Sequence, residues 1–286
     1  MKRNYVFTTI ILSLIFVALV FAQEDTKIEA QKLYNEGISL LKRKQTNDAI
    51  VKLNQAVEKD PTLAQAYYAL GIAYKFNNNF AKAEQNYKLA IKNDDKMVSA
   101  YIYLGKLYGE EQKNDEALNT LKAALGIDPN DAKANFEIGY IYLGQKDFRN
   151  AIPYFQKAVE TEKDFSTAWL DLGTAQFQVR DYAEAVNSFD NALKYEKRRT
   201  AKGNIYYQLG DALAKLNKDQ EAIEAYNNAL TNTTQSYVKG AANFGLGEIY
   251  KNSGDKSKAI AYYQAASKDR TWKQSALYEL DLLKKE

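Results

Sequence analysis

The side chains that most often carry catalysis are missing from this sequence, which contains no histidine and no cysteine. Their absence removes the commonest general base and metal ligand, thiolate nucleophiles, cysteine-ligated zinc, disulfides and lipid attachment at cysteine. What remains is a set of acidic pairs, one basic cluster and many tyrosines (22) and phenylalanines (12). Asp94-Asp95 and Glu110-Glu111 fall in turns or at helix ends without converging ligands, so no metal, cofactor or catalytic residue is assigned. Lys194, Lys197, Arg198, Arg199 and Lys202 could touch an anionic lipid or polymer, but a solvated loop is the simpler reading. Asn232-Thr233-Thr234 is a glycosylation sequon with meaning only in a eukaryotic secretory pathway. The rings are the chemistry left for recognition, and they recur at fixed spacing.

The elements that position those rings follow a leader. Met1-Lys2-Arg3-Asn4 is positive, residues 5–21 carry no charge, and Val20-Phe21-Ala22 presents a cleavage site before Gln23. This is the layout of a secretory signal peptide over residues 1–22, and it implies export to a periplasm, cell envelope or the extracellular space. An uncleaved membrane anchor is the competing reading, since the apolar run could nearly span a bilayer. Without Lys2 and Arg3 the chain holds 37 basic against 36 acidic residues. Such a balance offers no global field for nucleic acid or an anionic membrane.

Gly37, Gly71, Gly105, Gly139 and Gly173 each follow the last by 34 residues, and Gly210 and Gly247 continue at steps of 37. With this glycine as position 8, position 7 is aliphatic in all repeats but the first, where Glu36 stands. Position 20 is Ala49, Ala83, Ala117, Ala151, Ala185, Ala222 and Ala259; position 27 is also alanine throughout. Position 24 is always large: Leu53, Tyr87, Leu121, Phe155, Phe189, Tyr226 and Tyr263. At about 3.6 residues per turn, positions 4, 7, 8 and 11 form a stripe on one helix, and positions 20, 24 and 27 a stripe on a second. Glycine inside a helix costs about 1 kcal/mol relative to alanine, so seven in register imply that backbones approach closely there.

This pattern resembles the tetratricopeptide repeat family, with its W-x2-L-G-x2-Y, Ala, Phe or Tyr, Ala and Pro signature, over residues 30–273. The resemblance implies an all-α, right-handed α-solenoid of seven helix–turn–helix repeats (30–63, 64–97, 98–131, 132–165, 166–199, 203–236 and 240–273). A linker is expected over 23–29 and a C-terminal capping helix over 271–286. Thr271-Trp272-Lys273-Gln274 has the form of a capping box opening a last helix, with Leu277 and Leu280 at what would be positions 4 and 7 and Asp281 where the glycine would be. The two three-residue breaks of period, near Arg199–Lys202 and Tyr237–Lys239, are expected to lengthen a second helix by one turn.

The resemblance further implies a protein or peptide partner held on a concave face built from positions 2, 5, 6, 9, 12 and 13 of each first helix. Position 5 is Tyr34, Tyr68, Ile102, Phe136, Leu170, Tyr207 and Phe244, and Phe76, Tyr103, Tyr140 and Phe177 add to it. About half of these side chains are expected to pack between repeats, and the rest to anchor a segment. Charges on the same positions are sorted along the chain. Lys42, Lys75, Lys106 and Lys133 come first and Glu137, Asp171, Asp211 and Glu248 later, with Glu110, Lys215 and Lys251 against the trend. The lysines and asparagines of the family's carboxylate clamp are missing, because no repeat has Lys at position 5 or Asn at position 9. The sequence therefore reads as a non-enzymatic, exported interaction scaffold; its alternative is a membrane-tethered part of an envelope assembly.

Overall fold

A computed structural model describes residues 24–285, and all regular structure in that range is helical. The leader of residues 1–22 lies outside the described residues. The first helices of the seven repeats are α1 (residues 24–42), α3 (Ala64–Phe76), α5 (Val98–Glu110), α7 (Ala132–Gly144), α9 (Ser166–Gln178), α11 (Arg199–Lys215) and α13 (Ser236–Asn252). The second helices are α2 (Thr46–Lys59), α4 (Phe80–Asn93), α6 (Asn114–Ile127), α8 (Phe148–Thr161), α10 (Tyr182–Tyr195), α12 (Asp219–Asn232) and α14 (Lys256–Ala266). A last helix, α15 (Lys273–Lys285), closes the chain. The chain forms two compact units, Met1–Pro129 with three repeats and Asn130–Glu286 with four repeats and α15. Within each unit every helix packs on its chain neighbours, the architecture of an α-solenoid.

Packing explains the glycine spacing. A Cβ added at Gly37, Gly71, Gly105, Gly139, Gly173, Gly210 or Gly247 would come within 2.8 Å of the position-24 side chain of the same repeat. Those side chains are buried in all seven repeats, and the alanines at positions 20 and 27 are 0 % exposed. Each buried Leu, Phe or Tyr contributes about 1.5–3 kcal/mol of transfer free energy, provided no Cβ wedges the helices apart. Position 11 finishes the contact from the other side: Tyr142 stacks on Tyr154 and Tyr250 on Tyr262, with centroids 5.8 and 5.5 Å apart.

The turn inside each repeat has one shape. Position 15 takes a left-handed conformation in Lys44, Asn78, Gln112, Lys146, Arg180, Asn217 and Gly254, with φ between 56° and 80°. The next backbone N–H then bonds to the carbonyl of position 11, as Gln45 does to Leu40 and Asp255 to Tyr250, which satisfies carbonyls the helix end would leave open.

Three expectations are corrected. Residues 24–29 are part of α1 rather than a linker; Ala30 is buried and Glu29 pairs with Lys59 at 2.8 Å. The insertions lengthen first helices, not second ones: α11 and α13 have 17 residues, while α10 and α12 keep 14. The second helices stop because a buried polar residue follows each and takes up the amides of the turn. Glu196 accepts from the N–H groups of Lys197 and Arg198, and Thr233 Oγ1 accepts from Gln235 N–H. Gly203 and Gly240 let the added turns lie against Thr233 and Asp269, 2.8 and 2.7 Å from where a Cβ would stand. Finally, Asp269 organises the start of α15 by accepting from Thr271 N–H and Trp272 N–H at 2.9 and 3.3 Å. Ala276, Leu280 and Leu283 face the core there, whereas Leu277 is 48 % exposed.

Candidate functional site

Position 5 leans on position 24, so the inner face of each unit starts at the core. Tyr68 lies 6.2 Å from Tyr87, Phe136 5.8 Å from Phe155 and Phe244 5.5 Å from Tyr263, ring centre to ring centre. Each position-5 ring is half-buried, one side on the core and part of its surface left open.

In the first unit Tyr34 and Tyr68 are half-buried, and Tyr103 meets Tyr68 edge-on at 5.3 Å. Ile102 is only 5 % exposed and belongs to the core, so it offers nothing to a partner. Phe76 stands 70 % exposed at the end of α3. Lys75 pairs with Glu110 at 2.7 Å. Burial raises the pKa of Tyr34 and Tyr68, so these phenols act as neutral hydrogen-bonding groups at physiological pH.

In the second unit Phe136 is wedged among Phe155, Phe165 and Tyr140, and Tyr140 is 56 % exposed. Leu170 packs against the core, and Phe177 meets Tyr182 edge-on at 5.3 Å. Asp171 is half-buried with no hydrogen-bond or ion-pair partner among the described residues, and burial pushes its carboxyl up to about 7. The other acids of the face are engaged. Tyr226 donates to Asp211 at 2.7 Å, and Tyr263 donates to Glu248. Both links join position 24 of a repeat to position 9 of the same repeat. Burial raises Asp211 to about 6, against the lowering effect of the Tyr226 and Tyr207 hydroxyls and of Lys215.

One cavity of about 270 Å³ opens on this face, lined by Thr174, Phe177, Gln178, Asn204, Tyr207, Gln208, Asp211 and Tyr237. Thr174 donates to Gln208 at 2.8 Å, tying α9 to α11, and Tyr237 stands at 84° to the Tyr207 ring with centroids 6.4 Å apart. The structure thus brings the expected Phe177, Tyr207 and Asp211 together. Tyr237 comes from the second insertion and reaches the site because α13 starts a turn early. Sequence reasoning passed over it, although an aromatic inside an insertion was the available signal.

The sorted charges resolve mostly into pairs: Lys75 with Glu110, Lys251 with Glu279, and the two position-9 acids with tyrosines. They fix side chains within the array before they attract anything from outside. The basic cluster is not a free loop either. Arg198 pairs with Glu196 at 2.9 Å, the Arg199 guanidinium donates to the Thr231 carbonyl, and Lys202 lies within α11.

Among known proteins, family descriptions for the TPR repeat match residues 37–77, and for the tetratricopeptide repeat residues 64–96, 102–166, 170–237 and 207–273. No curated protein matches significantly in sequence. The C-terminal part of a TPR repeat-containing protein from Cytophaga hutchinsonii is similar in structure, with TM-score 0.69, 18% identity, and coverage of 86% of this chain and 99% of that one. PilF of Pseudomonas aeruginosa gives 0.63 at 21% identity over 73% of this chain and 93% of its own. YrrB, described as a TPR protein with an unusual peptide-binding site, gives 0.55 at 19% over 65% and 94%. At these identities the likeness is one of fold. Such repeats generally serve as scaffolds for protein or peptide binding. With glycine, alanine and position-24 packing in every repeat, and family matches across most of its length, the chain belongs to the tetratricopeptide repeat family.

Proposed function

We propose that this protein is a non-enzymatic scaffold that holds extended partner-protein segments on the first-helix face of the repeats within each unit. The observation that carries this reading is the run of partly open rings on that face. Tyr34, Tyr68 and Tyr103 stand in one unit; Phe136, Tyr140, Phe177, Tyr207 and Phe244 stand in the other. Rings fixed at one edge by the core lose little conformational entropy on binding, which suits them as anchors. A sequence without histidine or cysteine supports the absence of catalysis. The leader of residues 1–22 supports a place in the periplasm, cell envelope or extracellular space. Were residues 5–22 retained, the same array would be a membrane-tethered part of an envelope assembly; N-terminal sequencing separates the two, with a start at Gln23 supporting the free scaffold. Among the described residues no helix is long and apolar enough to cross a membrane.

The test uses rings that are exposed and therefore expendable for folding: Phe76, Tyr140 and Tyr237, at 70, 56 and 47 %. A partner identified by crosslinking in the native envelope is purified and titrated against the triple alanine variant. Affinity should fall at least about tenfold while the melting temperature moves by no more than about 2 °C. Equal affinity would remove the face as the binding surface.

A further inference from the structure

The cavity between α9, α11 and the start of α13 is chemically unlike the rest of the face. Its rings, Phe177, Tyr207 and Tyr237, come from three successive first helices, and two of them stand nearly at right angles. Asp211 is the one charged side chain among its lining residues. We propose that this cavity takes an arginine side chain of the bound segment, with its guanidinium set against the Tyr207 and Tyr237 rings and hydrogen-bonded to Asp211. The inference rests on the segment-binding reading above and names the chemistry that one part of the face selects.

Charge excludes the other occupants. An anion would meet Asp211 with no cation in the lining to offset it. An apolar side chain would strip the remaining water from the carboxylate and give nothing back. Tyr226 engages Oδ1 at 2.7 Å and the Tyr207 hydroxyl also faces the group, yet a carboxylate has about four acceptor sites, so capacity remains. Burial raises the pKa of Asp211 although the Tyr226 and Tyr207 hydroxyls and Lys215 lower it, so its lost hydration is only partly offset and a guanidinium in contact would offset it further. The side-chain carbonyls of Gln178 and Asn204 provide further acceptors around the same space.

Guanidinium fits better than ammonium for two reasons. Its plane stacks on aromatic faces, and its five donors can reach acceptors on several walls at once. An ammonium is a compact, strongly hydrated charge that loses more water on entering. The volume of about 270 Å³ suits one side chain and not a folded element.

The experiment titrates the full chain, followed by amide NMR, with acetyl-Gly-Ser-Arg-Ser-Gly-amide and its lysine and citrulline analogues. The arginine peptide should shift resonances of α9, α11 and the first turn of α13 saturably in the millimolar range. Citrulline, with the same shape and no charge, should bind at least about tenfold more weakly, and lysine several-fold more weakly. Asp211→Asn keeps an acceptor for Tyr226 and should cost the arginine peptide about tenfold in affinity while leaving the other amide positions in place. Equal binding of citrulline, equal binding of lysine, indifference to Asp211→Asn, or no saturable shift at these helices would each overturn the proposal. Shifts confined to other parts of the face would overturn it while leaving the segment-binding reading intact. That reading stands or falls on the Phe76, Tyr140 and Tyr237 titration with the native partner.

Discussion

Removing one hydroxyl group, from Tyr87, should make this protein more stable. Tyr87 is 0 % exposed, and its hydroxyl has no hydrogen-bond partner, whereas its counterparts Tyr226 and Tyr263 donate to Asp211 and Glu248. The difference lies at position 9, fifteen residues earlier, where the second repeat has Ile72 in place of an acid. A buried donor without an acceptor costs about 1–3 kcal/mol, so Tyr87→Phe should recover on the order of 1–2 kcal/mol, less a small amount for the void left by one atom. Tyr226→Phe should do the reverse, losing about 1.5–3 kcal/mol, because a hydrogen bond to a charged group is lost and Asp211 is left poorly solvated.

Urea unfolding followed by circular dichroism at neutral pH reads both changes, with the array treated as coupled repeats because its unfolding need not be two-state. Ile72→Asp supplies the missing acceptor. In that background Tyr87→Phe should become destabilising, and the change of sign across the double-mutant cycle isolates the hydroxyl–carboxylate contact. Loss of more than about 0.5 kcal/mol in Tyr87→Phe alone, or no change of sign in the cycle, would refute the pairing rule between positions 9 and 24.

Two further outcomes follow from the same packing. Gly139→Ala puts a Cβ 2.8 Å from the fully buried Phe155 ring; overpacking of about 1–3 kcal/mol should outweigh the helix-propensity gain of about 1 kcal/mol, while Gly126→Ala, with nothing within 4 Å, should keep that gain. Thermal or urea melts that rank the two the other way would deny the close approach at position 8. Asp171 has its folded pKa raised from 3.8 to about 7, so the folded state holds the proton more tightly, and stability falls as pH rises through that window. Asp171→Asn should therefore be nearly neutral at pH 4 and stabilise by roughly 1–3 kcal/mol at pH 8, allowing for partial solvation. Equal effects at both pH values would show that the carboxyl is not held up by burial.

What the sequence disclosed and what it hid divide along a physical line. The glycine and alanine spacings were legible because each repeat must bury the same stripe, and a helix turns steric demand into period; Gly173 and Phe189 are fixed by one contact repeated in every unit. The partly open rings followed from the same geometry, with Ile102 lost to the core because position 5 mixes aliphatic and aromatic residues without marking which are covered. The left-handed residues Lys146 and Arg180 were invisible, since tertiary packing imposes the turn whether or not the residue prefers it.

The polar contacts were hidden for a different reason. Asp211 looked like an open charge on a sorted surface until Tyr226, on another helix and fifteen residues on, was seen to donate to it. No local propensity encodes that link. The sequence does carry it as a correlation, because tyrosine at position 24 accompanies an acid at position 9 in the sixth and seventh repeats, and phenylalanine or leucine never does. The second repeat breaks the correlation and leaves a buried hydroxyl unpaired. The insertion at the start of α13 belongs to the same class of signal. Its three residues add nothing to the periodic core, but they carry Tyr237 to the rim of the cavity beside Asp211. In a repeat array the periodic residues build the scaffold, so departures from the period are where selection for a partner can be written without unfolding it.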